Sequence, residues 1–90
     1  MWEDSLNNMY VRLYPVPAHD VLNLRLNLPS TSDVNVDIFD NHGTTKYHYN
    51  GELSENILPI NTSGFTPGYY LIIATNATTT LTKTLFEVIH

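Results

Sequence analysis

The chain has 90 residues, enough for one domain and no more, because independent cores need on the order of 50 to 200 residues each. Hydrophobic residues make up 42% and charged residues 14%, which excludes the charge-rich, apolar-poor composition of a disordered segment and permits a buried core. The formal charge is −5, and the basic residues Arg12, Arg25, Lys46 and Lys83 are scattered, so no basic stripe is present for nucleic acid and none is expected as a partner.

Residues 1–9, with Asn7-Asn8 and no apolar period, read as a linker or tail, and 10–90 as the folded domain. The start Met1-Trp2-Glu3-Asp4 has neither the basic flank nor the apolar stretch of a signal peptide. Tyr10 to Tyr14 opens the fold as a strand that Pro15 and Pro17 end, since neither can donate to a ladder. Those prolines hold an extended segment and are expected to mark the passage from linker to domain. In Leu22-Asn23-Leu24-Arg25-Leu26-Asn27-Leu28 the leucines fall on one face and polar residues on the other, the period of a half-buried strand. Val34, Val36 and Ile38 alternate with Asn35, Asp37 and Phe39 in the same way. Asp40-Asn41-His42-Gly43 then supplies turn residues, Gly43 standing where a hairpin needs positive φ, and Thr44 to Tyr49 returns. Further strands are expected at Ile57 to Ile60, Tyr69 to Thr75 and Thr79 to Ile89, with Pro29, Gly51, Gly64, Pro67-Gly68 and Asn76-Ala77 as punctuation. Gly68 after Pro67 fits a type II turn.

The predicted fold is therefore all-β: an immunoglobulin-like, two-sheet antiparallel sandwich of about seven strands, without helix. Leu22, Leu24, Leu26, Val34, Val36, Ile38 and Leu71 are expected to be buried together. The last strand holds a conflict, because Leu81, Leu85 and Ile89 lie on one parity and Phe86 and Val88 on the other. Either a bulge shifts the register or both faces are covered, and Phe86 or Val88 is expected to stay partly exposed beside Lys83.

Catalytic and metal constellations are missing from the sequence. His19, His42, His48 and His90 have no paired spacing and no thiolate beside them, the chain having no cysteine. Asp33, Asn35 and Asp37 imitate the start of a calcium loop, but Ile38 stands where that loop needs Gly and Thr44 where it needs Glu. No Gly-x-Ser-x-Gly elbow and no assignable carboxylate pair exists. The expectation is no enzyme, no cofactor and no metal. Tyr47, Tyr49 and Tyr69 could form an aromatic platform for sugars, but core or cross-strand pairing is the simpler reading. Asn61-Thr62-Ser63 and Asn76-Ala77-Thr78 match the glycosylation sequon, a pattern that arises by chance in a chain rich in Asn and Thr. The longest apolar runs are too short to span a bilayer as a helix.

Five segments in order carry a family resemblance: Leu13-Tyr14-Pro15-Val16-Pro17-Ala18, Val21-Leu22-Asn23-Leu24, Ile38-Phe39-Asp40-Asn41-His42-Gly43, Thr66-Pro67-Gly68-Tyr69-Tyr70-Leu71 and Thr82-Lys83-Thr84-Leu85-Phe86. Together they resemble the type A C-terminal sorting domain, or Por secretion tail, of substrates of the Bacteroidetes type IX secretion system. The resemblance runs from about residue 11 to the end. It implies a sorting module at the C-terminus of a larger protein, with an upstream cargo domain in the same chain, recognised by the outer-membrane secretion apparatus and usually cleaved afterwards. The implied location is secreted or cell-surface, reached through the periplasm. Thr82, Lys83, Thr84, Leu85 and Phe86 are the candidate recognition residues, and Pro15, Pro17, Gly43, Pro67 and Gly68 the structural turn positions. The alternatives are an immunoglobulin-like accessory or adhesion module that binds glycan or protein, and a small free-standing sandwich.

Overall fold

Alternating segments become strands wherever one face can be buried and the other left to water. The computed structural model describes residues 11–27, 33–76 and 79–90, so residues 1–9, Tyr10, Leu28 and Pro29 lie outside it. Seven strands form: β1 (Val11–Tyr14), β2 (Val21–Leu26), β3 (Val34–Phe39), β4 (Thr45–Gly51), β5 (Ile57–Asn61), β6 (Gly68–Asn76) and β7 (Thr79–Val88). No helix occurs among the described residues. The strands make a three-stranded sheet ordered β1-β2-β5 and a four-stranded sheet ordered β4-β3-β6-β7, with every neighbouring pair antiparallel. This is the expected immunoglobulin-like sandwich, in the form where β4 stays in the sheet of β3.

The core follows the parity of each strand. Leu22, Leu24 and Leu26 of β2 and Val34, Val36 and Ile38 of β3 are fully buried, joined by Leu58, Ile60, Tyr70, Ile72, Ala74, Phe86 and Val88. Leu71 departs from the expectation: it is only half-buried, because β6 sends Tyr70, Ile72 and Ala74 inward and leaves Leu71 and Ile73 on the outer face. Tyr69 to Ala74 is apolar at every position, so periodicity had no contrast from which to choose the inner parity.

The conflict in the last strand is resolved by a bulge. Ala74 pairs with Thr82 but Thr75 pairs with Thr80, which makes Leu81 the extra residue and turns it against the core. Beyond it Phe86 (2% exposed) and Val88 face inward while Leu85, at 67% exposure, faces out. The expected partial exposure of Phe86 or Val88 is thereby corrected: the apolar residue left in water is Leu85.

Two ties hold the strand ends. Ala18, fully buried, donates its N–H to the Glu87 carbonyl at 2.8 Å and accepts from the Ile89 N–H at 2.8 Å, bridging to Val88 in the parallel sense. The prolines thus lie within the sandwich, carrying the chain from β1 at the edge of one sheet to the edge of the other, and not at its border with a linker. Among the described residues Thr62 is the polar residue that is buried; its hydroxyl donates to the His19 carbonyl at 2.9 Å and its N–H to the Asp20 carbonyl at 2.8 Å, so the loop before β2 is pinned to the end of β5.

Candidate functional site

The candidate recognition residues lie in the middle of β7, an edge strand of the four-stranded sheet. The strand period divides them. Thr82 and Thr84 share the inward parity, with hydroxyl oxygens 2.8 Å apart, yet Thr84 remains exposed. Lys83 and Leu85 stand exposed on the outer face, and Phe86 is buried. Phe86 belongs to the fold: its ring stacks on Tyr70 at 5.9 Å, and Tyr70 in turn meets Phe65 at 5.0 Å. Four of the five residues are therefore open to a partner to some degree, and the fifth is a core side chain.

Thr82, Thr84 and Leu85 form one wall of a groove of about 300 Å³, whose other wall is Val11, Leu13 and Val16. The groove lies between the edge of β1 and the edge of β7, with Val16 of the crossing that follows β1 in its lining. On the outer face Leu85 pairs in register with Leu71, and Leu71 with Phe39, so an apolar row crosses three strands and ends at Leu85. Sequence reading missed this row, since Phe39 and Leu71 gain a common face only through the pairing of β3 with β6.

The turn positions converge at one end of the same sheet. Gly43, at φ +83, closes the β3–β4 hairpin, with its N–H donating to the Asp40 carbonyl at 3.0 Å. Asp40 Oδ1 accepts the N–H groups of His42 and Thr44, both at 2.9 Å. The Thr44 N–H, then that of His42 and the nearby charges of His42 and Lys46, hold the Asp40 carboxyl below its ordinary 3.8. Gly68 opens β6 at φ +149 directly after the exposed Pro67, so the expected type II turn, which needs a φ of about +80° there, is replaced by a bend leading into the strand, and the hydroxyl of Tyr70 donates to the Thr66 carbonyl. Burial pushes the Tyr70 phenol up. A cleft of about 290 Å³ lies between the β3–β4 turn and the start of β6, lined by Asp40, His42, Lys46, Pro67 and Tyr69 among others. Two of the segments that carry the resemblance, distant in sequence, thus shape one surface.

The remaining candidates are dispersed. Tyr47 and Tyr49 are half-buried against the core, burial raising the Tyr47 phenol, and the Tyr49 hydroxyl donates to the Glu52 carbonyl. Tyr69 instead projects from the outer face at 62% exposure, a correction to its reading as a core or cross-strand residue: it shares the outward parity of Leu71. The histidines have separate partners: His48 Nδ1 lies 2.7 Å from Asp37 Oδ1, and His90 Nε2 lies 2.9 Å from the Phe65 carbonyl oxygen. Asn35 donates to Asp37 Oδ2 at 2.9 Å, which places the calcium-loop imitation flat on the outer sheet face. Among the described residues no group of three or more His, Asp or Glu is placed to hold a metal ion, and no helix is long and apolar enough to cross a membrane.

A family model described as the secretion system C-terminal sorting domain matches residues 12–88. The match takes in β1 from Arg12 through the end of β7, so the chain belongs to this family, that of type IX secretion sorting domains. No curated protein matches the chain.

Proposed function

We propose that this chain is the folded, non-catalytic sorting signal that directs a larger protein carrying it across the outer membrane by type IX secretion. The family match over residues 12–88 carries the reading. Cargo lies upstream in the same polypeptide, and the whole passes through the periplasm to the cell surface or the medium. The outer-membrane apparatus reads the module on β7, at Thr82, Lys83, Thr84 and Leu85, with Phe86 holding the strand in place from below. The non-catalytic reading rests on the same family match.

The test is a reporter fused upstream of the chain in a type IX-competent host. The intact fusion is expected outside the cell and a fusion lacking 82–90 in the periplasm; equal export of both refutes the reading. Because the truncation also removes Phe86 and Val88 from the core, Lys83→Glu accompanies it. That exposed substitution alters stability by no more than about 0.5 kcal/mol, and loss of export at unchanged Tm assigns the effect to recognition.

A further inference from the structure

Ala18 displays what the outer edge of β7 accepts. It bonds to the Glu87 carbonyl and the Ile89 N–H, so these main-chain groups point away from β6. Along an extended strand the direction of N–H and C=O alternates residue by residue. The groups of Thr82, Thr84, Phe86 and Val88 therefore serve the ladder to β6, and those of Lys83 and Leu85 point to the open edge. The register is regular from Thr82 to Val88, since the bulge sits before it at Leu81. The Ala18 pairing is an isolated bridge to Val88 and does not extend along β7 among the described residues. Among the described residues no main-chain partner meets the outward groups of Lys83 and Leu85, and the groove of Val11, Leu13 and Val16 flanks them.

The outer face specifies what would suit that edge. Phe39, Leu71 and Leu85 are consecutive members of one cross-strand row, and Ile73 and Lys83 are neighbours in the next. A strand added beyond β7 places one side chain beside Leu85 and another, two residues along, beside Lys83. An apolar residue continues the first row and covers the exposed Leu85; an acidic residue pairs with the ammonium of Lys83, opposite charges being the favourable cross-strand combination.

We propose that the edge of β7 at Lys83 and Leu85 receives an extended strand of the export apparatus by main-chain pairing, with an apolar residue beside Leu85 and an acidic residue beside Lys83. This rests on the sorting reading and names the form of its partner: strand addition to a sheet edge, in which the main chain supplies affinity and alternate side chains supply selectivity. Lys83 also guards the edge against indiscriminate pairing, as a charge on an exposed strand does.

The decisive variant is Leu85→Pro. It removes an N–H that points outward, a loss an edge strand tolerates, and Lys83→Pro does the same one pair away. Leu85→Ala removes only the side chain. With Tm measured for each purified protein, the proline variants are expected to lower export of the fused reporter by about tenfold or more, against a smaller loss for Leu85→Ala. A folded proline variant exported like the wild type overturns the proposal. A second measurement is independent of export: the wild-type chain is titrated with the blocked peptide Thr-Ile-Thr-Glu-Thr while its amide resonances are followed. Shifts and slowed hydrogen exchange at Lys83 and Leu85 support the proposal, and shifts confined elsewhere, or none at millimolar peptide, refute it. Sedimentation that finds a dimer abolished by Leu85→Pro assigns the edge to a second copy and also refutes it. If the intact fusion itself is not exported, the sorting reading falls, and the titration still decides whether the edge takes a strand.

Discussion

Phe86→Ala and Leu85→Ala differ by one position and should differ by several kcal/mol. Phe86 is 2% exposed and stacked on Tyr70, whereas Leu85 is 67% exposed on the opposite face. Truncating a buried Phe costs about 3–5 kcal/mol through lost transfer free energy and the cavity left behind. A surface truncation stays within about 0.5 kcal/mol. For a chain of 90 residues the total stability is on the order of 5 to 13 kcal/mol, so the first change removes a large share of it and the second almost none. In Tm the contrast is about 12 °C or more against about 4 °C or less, at 4–8 °C per kcal/mol for a domain this small. Urea unfolding monitored by circular dichroism, with the slopes compared to check that both variants remain two-state, reads the difference directly. Equal losses in the two variants would mean that the register of β7 is not the one described and that the bulge at Leu81 does not exist.

Thr62→Val keeps the shape of a fully buried side chain but leaves the His19 carbonyl without its donor, and a loss of about 1–3 kcal/mol in chemical unfolding is expected; no loss would mean that water replaces the hydroxyl. For Asp40 the lowered pKa fixes the sign: the carboxylate form is favoured on folding, so its contribution is present above the unfolded value and disappears as pH falls through the folded one. Asp40→Asn keeps an acceptor for the Thr44 N–H but no charge, so the stability gap to wild type should narrow below about pH 4, and a gap that stays constant from pH 7 to pH 2 contradicts the assignment.

What the sequence made legible was set by contrast between neighbouring positions. β2 and β3 alternate apolar with polar residues, so Leu22, Leu24, Val34 and Ile38 declare their face through residue type alone. In β6 the run Tyr69 to Ala74 offers no such contrast, and the inner parity is decided only when Ile72 and Ala74 pair with Ile38 and Val36. The last strand announced a conflict but not its place, because a bulge is an event in the pairing and Leu81 carries no residue signature of one. The turns were legible for a local reason: Asp40 and Gly43 act on their own backbone within four residues. The groove was not, since Val11 and Thr84 become neighbours through the packing of two sheets. Neither was the apolar row ending at Leu85, which needs the order of three strands.

Family membership over residues 12–88 covers side chains that hold the fold and side chains that a partner could touch, and it does not separate them. Physical position does. A signal read in the folded state must lie in groups whose loss leaves the sandwich intact, which removes Phe86 and Val88 from the recognition surface even though they sit in its strand. Truncation from Thr82 onward cannot make that distinction, because it deletes both classes together and unfolds what it would interrogate. Single changes at Lys83 and Leu85 can, since their side chains are exposed and their main-chain groups lie outside the β6 ladder. The same logic applies to the cleft between the β3–β4 turn and the start of β6, where Tyr69 and Lys46 are exposed but Asp40 and Tyr70 hold the turns. Effects on export from Asp40 or Tyr70 substitutions should therefore track Tm, whereas those from Lys83 and Leu85 should not.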